Sequence, residues 1–134
     1  MLGPGFRFSV PLGWHVTRSQ RAVVARRGEA LVSATGFPLL RPYRPELFDE
    51  AAKELDGVAT RLAAQAGGKL TEKQTTTVDG RKIRSYRFEA GPDATRIGFV
   101  LDGRREVQLL CRAPTADGDP DGSCALLYDS FELR

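Results

Sequence analysis

Apolar and polar positions alternate from Phe6 to Val10, with Phe6, Phe8 and Val10 on one side and Arg7 and Ser9 on the other. Period-two alternation predicts a half-buried strand, stopped by Pro11-Leu12-Gly13. Ala22 to Arg27 predicts a second strand and Leu31 to Phe37 a third. Gly28-Glu29 between them makes the pair an antiparallel hairpin. Pro38 ends the third strand, and Pro42 and Pro45 keep the following connection extended.

The period then becomes helical. Leu47, Ala51, Leu55, Val58, Leu62 and Ala66 form one apolar stripe, widened by Phe48 and Ala59. Pro45 suits a first turn, and Glu46, Asp49 and Glu50 place negative charge at the positive end of the helix dipole. Gly67-Gly68 is a C-terminal stop. Gly57 costs about 1 kcal/mol relative to alanine and reads as a point of close approach to a sheet. A single stripe predicts packing on one sheet face.

Period two returns after the helix. Lys69 to Val78 is a polar strand near an edge, and Asp79-Gly80 is a two-residue hairpin turn. Lys82 to Ala90 comes back with Tyr86, Phe88 and Ala90 opposite Arg87 and Glu89. Ile83 has the wrong parity for that face, which predicts a bulge near Arg84-Ser85. Gly91-Pro92-Asp93 turns the chain into Arg96 to Leu101, with Ile97, Phe99 and Leu101 inward. Asp102-Gly103 reads as another hairpin turn, into Arg105 to Arg112 with Val107, Leu109 and Cys111 on one face. Ser123 is placed to cap a last helix, docked by Cys124, Leu127, Tyr128 and Phe131. The expected order is three strands, a long helix, a four-stranded meander and a short C-terminal helix. That is an α+β domain on a mainly antiparallel sheet. Residues 1–134 read as one domain, with 1–5 a flexible lead-in.

Composition narrows the class. A chain of 134 residues can bury a normal core without metal or disulfide help. The net charge of +3 raises the question of nucleic acid, but 20 basic against 17 acidic residues is near balance. No basic face interleaved with aromatics stands out, so nucleic acid is disfavoured. No apolar run approaches the about 20 residues of a membrane span. Met1-Leu2-Gly3-Pro4-Gly5 lacks the basic start and apolar middle of a signal peptide. The protein is therefore expected either to stay in the cytoplasm or to have a leader that is missing here.

Catalytic patterns are absent. There is no nucleophile elbow and no phosphate-binding glycine loop. The lone His15 and two distant cysteines make no metal-ligand set, so no catalytic residue, metal or cofactor is expected. His15 reads as a structural histidine. Trp14 reads as a large plug beside a turn, with a ligand platform as its other reading. Arg81, Lys82, Arg84 and Arg87 lie on one hairpin, Arg104 and Arg105 at the next turn, and Arg18 and Arg21 early in the chain. If they converge they suit an acidic protein or a lipid headgroup surface; otherwise they are part of a mixed solvated surface. Trp14, Arg81, Arg84, Arg87, Arg104 and Arg105 are thus the candidate binding surface.

Cys111 and Cys124 flank a loop of turn formers, Pro114, Gly118, Asp119, Pro120, Asp121 and Gly122. Such a loop allows a bridge worth about 2–3 kcal/mol, which would imply an extracytoplasmic home. Two separate buried thiols are the alternative.

The opening Phe6-Arg7-Phe8-Ser9-Val10-Pro11-Leu12-Gly13-Trp14 resembles the F-x-V-P-x-G-W entry strand of Mog1/PsbP-like domains. The Leu- and Ala-rich helix, Val78-Asp79-Gly80-Arg81, Tyr86-Arg87-Phe88 and Ser130-Phe131 extend the resemblance over nearly the whole chain. It implies an α/β/α sandwich around a central, mainly antiparallel sheet. It also implies an accessory binding role, since members include a nuclear Ran-binding protein, extrinsic photosystem II proteins and bacterial lipoproteins of unknown role. No shared catalytic set carries over. The cysteine pair is most like the secreted bacterial members, in which a lipid-anchoring leader precedes the domain; this chain shows no lipobox cysteine. The expectation is a non-enzymatic accessory domain, monomeric or weakly dimeric, exported, with lipid anchoring as an option. Its expected partner is a protein or a membrane surface. The alternatives are a small-ligand carrier or enzyme with a pocket near Trp14, and a cytoplasmic regulator or nucleic-acid binder.

Overall fold

The computed structural model describes residues 2–134. Six strands form one antiparallel sheet: β3 (His15–Arg18), β4 (Ala22–Arg27), β5 (Ala30–Tyr43), β6 (Lys69–Val78), β7 (Arg81–Ala90) and β8 (Asp93–Pro114). Their order in space is β3-β4-β5-β8-β7-β6. A small second sheet joins β1 (Leu2–Gly3), β2 (Phe6–Arg7) and β9 (Glu132–Leu133). Residue 2 onward is therefore paired into the fold, although 1–5 read as a flexible lead-in; Met1 lies outside the described residues.

The large sheet is covered on both faces, which makes an α/β/α sandwich. Helix α1 (Phe48–Gln65) buries Leu55, Ala59 and Ala63 against Tyr86, Phe88, Ile97 and Phe99. Helix α2 (Ser123–Ser130) covers the other face, where Leu127, Tyr128 and Phe131 join Phe6, Phe8, Ile83, Val100 and Leu109. Two faces explain Ile83. Its parity is no bulge: Thr75 pairs Arg84 and Gln74 pairs Ser85 in regular register, and the shift lies between Leu70 and Glu72. Ile83 simply points to the second core.

The chain turns back at Asp102-Gly103, as expected, so β8 is itself a hairpin of two arms: Thr115 N–H, just past its end, donates to Pro92 O, just before its start, at 2.7 Å, and Gly98 and Leu109 lie against the same Tyr128 hydroxyl. The type I′ hairpin turn needs positive φ at both central residues. Asp79 at 52° and Gly80 at 72° meet that condition, whereas at 102–103 only Gly103 does, at 57°. β8 pairs β7 from Asp93 to Phe99 and β5 from Gly103 to Arg112. Ile97 and Phe99 face α1, but Val107, Leu109 and Cys111 face α2. Parity thus switches between the two arms of β8, because the turn sets even positions of one arm opposite odd positions of the other, Gly98 beside Leu109. The register with β5 shifts there too, from Pro38 opposite Arg105 to Tyr43 opposite Gly103.

Pro38 does not end its strand. β4 pairs β5 only as far as Thr35, so Pro38 lies where one side of β5 has no partner strand and its missing N–H costs little. The first predicted strand is shorter than its pattern, with only Phe6–Arg7 paired. β3 was not legible, because a four-residue edge strand that is mostly exposed carries little alternation. His15 is exposed on it.

The stripe of α1 is centred on Leu55, Ala59 and Ala63, while Leu47 and Ala66 are exposed. Gly57 does not touch the sheet; the nearest atom to a Cβ there is on Arg61, at 3.6 Å. The close approach is at Gly68, where a Cβ would collide with the Glu89 carbonyl. Gly68 N–H donates to Ala63 O at 2.8 Å and Gly67 N–H to Ala64 O at 3.0 Å, the paired bonds of a glycine helix stop.

Candidate functional site

The end of β8 and the start of α2 are joined by a disulfide, Cys111–Cys124, with Cα atoms 5.6 Å apart. Residues 115–122 loop out between them and are pinned twice more. Asp119 accepts the N–H groups of Cys124 at 2.7 Å and Ala125 at 3.1 Å, and the Ser123 hydroxyl at 3.3 Å. Asp119 therefore caps α2; Ser123, expected as the cap, is the first helical residue instead. Asp119→Ala should lower stability by about 1 kcal/mol, read as a shifted denaturant midpoint with unchanged slope.

Asp121, at φ 56°, is the other pin. Its carboxylate accepts Trp14 Nε1–H at 2.9 Å and an Arg27 N–H. These hydrogen bonds, first Trp14 and then Arg27, hold the exposed Asp121 carboxyl below the usual aspartate range. Trp14 is 7% exposed. It plugs the second core and ties it to the loop, so it offers no platform.

Beside the disulfide lies a cavity of about 260 Å³. Its charged lining is Arg87, Arg96 and Asp119, and the disulfide, Ala94 and Ala113 are its apolar part. Arg87 and Arg96 face each other directly across β7 and β8. The Arg96 guanidinium stacks 4.1 Å above the Tyr128 ring, and its Nε–H donates to Ser85 Oγ at 3.2 Å. Burial pushes the Tyr128 phenol up, against the opposing pull of the Ser85 hydrogen bond and the Arg96 charge. A more open cleft of about 470 Å³ lies between Gly28-Glu29 and Asp117, Pro120 and Asp121. Trp14 lines neither of these two cavities.

The arginines singled out from the sequence are dispersed. Arg81 pairs with Asp79 at 2.7 Å and approaches Asp102 at 3.7 Å. Arg105 donates to the backbone carbonyls of Gly5 at 2.9 Å and Arg134 at 3.0 Å, tying the two ends of the chain. Arg104 is exposed at the β8 irregularity. Arg84 is on the opposite face from Arg87, because neighbouring residues of a strand alternate. There it binds Asp56 of α1 at 3.1 Å. Of the candidate set, only Arg87 reaches the cavity. Arg96 is brought to it by the register of β7 with β8, which does not show as a run of charge in the sequence.

Asp56, Arg84 and Tyr86 form the main polar contact under α1. The Tyr86 hydroxyl donates to Asp56 Oδ1, and Lys73 lies 3.9 Å from the same carboxylate. Burial alone would raise the Asp56 carboxyl. Hydrogen bonds from Tyr86 and Arg84, with the charges of Arg84 and Lys73, outweigh it and hold the group below the usual range. Burial, and then the bond to Asp56, raises the Tyr86 phenol far above its usual value. Among the described residues no buried side-chain polar atom lacks a partner, and no helix is long and apolar enough to cross a membrane.

This layering is the fold of the PsbP-like domains. The chain is similar to the solution structure of cyanobacterial PsbP (CyanoP) from Synechocystis, with a TM-score of 0.69 and 12% identity, over 98% of this chain and 88% of that one. It is also similar to a crystal structure from Bacteroides thetaiotaomicron, with a TM-score of 0.65 and 11% identity. That alignment covers 100% of this chain but 47% of the other, so this chain spans about half its length. At such identities the likeness is one of fold. No family model and no curated protein matches the chain. The sandwich expected from the Phe8–Trp14 motif is thus the one found.

Proposed function

We propose that this chain is a non-catalytic accessory domain that works outside the reducing cytosol and docks on a partner protein. The observation that carries the reading is the Cys111–Cys124 bridge closed within a PsbP-like fold, since such bridges persist in oxidising compartments. The shifted acids and phenols support it. Asp56, Tyr86, Asp121 and Tyr128 each hold two packed elements together, which is structural work and not general acid–base work. A protein partner is favoured over an anionic membrane because Arg81, Arg84 and Arg87 are already paired with Asp79, Asp56 and Glu89.

The test is fractionation of native cells carrying the tagged full-length protein, followed by cross-linking in place. The expected result is protein outside the cytoplasmic membrane, cross-linked to one discrete protein species. Recovery from the cytoplasm with both thiols free would overturn the reading.

A further inference from the structure

Two arginines of one cavity wall, Arg87 and Arg96, stand directly opposite each other across a strand pair. Like charges so placed repel. The carboxylates at hand do not neutralise the wall from inside. Asp119 is engaged by the N-terminal N–H groups of α2, and Glu89 holds Arg87 from the rim at 3.3 Å. Arg96 is held in place by Tyr128 below and Ser85 beside it. A guanidinium fixed in this way is pre-organised to grip a planar anion with two parallel hydrogen bonds. The floor beneath is apolar. Its volume of about 260 Å³ falls just under the usual range for a drug-sized ligand, about 300–1,000 Å³.

We infer that this cavity binds a small organic carboxylate. The carboxylate lies between Arg87 and Arg96, and a compact apolar body, one ring or a short branched chain, rests on the disulfide, Ala94 and Ala113. The apolar floor favours an organic acid over a bare inorganic anion. Trp14 is no part of the site.

The experiment titrates the oxidised protein with benzoate, followed by calorimetry and by backbone amide shifts. Benzyl alcohol, the neutral analogue, and inorganic phosphate are run in parallel. The expected result is saturable binding of one benzoate, with shifts centred on Leu31, Ala94, Ala113 and Cys124. Benzyl alcohol should give no saturable shift, and phosphate should bind more weakly than benzoate. Arg87→Ala is a solvent-accessible change outside the core and should weaken benzoate by tenfold or more while the protein stays folded. Arg96→Lys, which keeps the charge but loses the planar fork, should weaken it too. Benzoate affinity unchanged in the arginine variants, shifts elsewhere on the molecule, or a dissociation constant above about 10 mM would overturn the inference. Phosphate binding as tightly as benzoate would overturn the assignment to a carboxylate with an apolar body.

Discussion

Replacing Cys111 and Cys124 together by alanine is expected to lower stability by about 3 kcal/mol. The two residues are separated by 13 positions, and closing a loop of that length removes about this much chain entropy from the unfolded state. The bridge also does a second job. Cys111 and Cys124 are 8% and 9% exposed within the second core, so cutting it frees the start of α2 from the end of β8 just where the 115–122 loop returns. The Asp119 cap and the Asp121 contacts remain, so the fold should survive. Thermal unfolding should fall by on the order of 10 °C, and reductant alone should reproduce most of that shift. A change below about 1 kcal/mol would mean that the cap and the Trp14–Asp121 contact hold the loop by themselves.

Asp56→Ala should cost about 2–3 kcal/mol, the range for lost hydrogen bonds to a charged group with partners left unsatisfied. It strands the Tyr86 hydroxyl, on a residue that is 1% exposed, and the guanidinium of Arg84, whose side chain is 17% exposed. Both groups sit on β7 under α1, so the loss should show first as weaker docking of that helix. The pH dependence distinguishes this from a packing defect. Asp56 has a folded-state pKa below its unfolded value. Its contribution is therefore fully present above the ordinary carboxylate pKa, about 4. It is lost as the pH falls through the lowered folded value. The stability gap between wild type and Asp56→Ala should be full near neutral pH and shrink in acid below that point. A gap independent of pH would contradict the charged role of Asp56.

The parts of this fold that were legible in the sequence are those set by one or two neighbouring residues. Asp79-Gly80, the Gly67-Gly68 stop, the periodicity of α1 and the docking residues of α2 each rest on local geometry. What was not legible depends on the third dimension. Ile83 looked out of phase because a single buried face was assumed, whereas both faces of β7 are covered. Arg84 and Arg87 are three apart and were grouped as one surface, yet strand alternation sends one to Asp56 and the other to the cavity. The cavity itself could not be read, because Arg96 meets Arg87 only through the pairing of β7 with β8. The cysteine pair was legible because its short, turn-rich spacing already held the geometry of a closed loop.

The account rests most heavily on the bridge, which joins the fold to its proposed compartment. The direct measurement is the mass of the native, unreduced protein after denaturation and alkylation. The account predicts no alkyl group added without reductant and two added with it. Two alkyl groups in the unreduced protein would show Cys111 and Cys124 as free thiols and would contradict both the closed loop and the oxidising home argued from it.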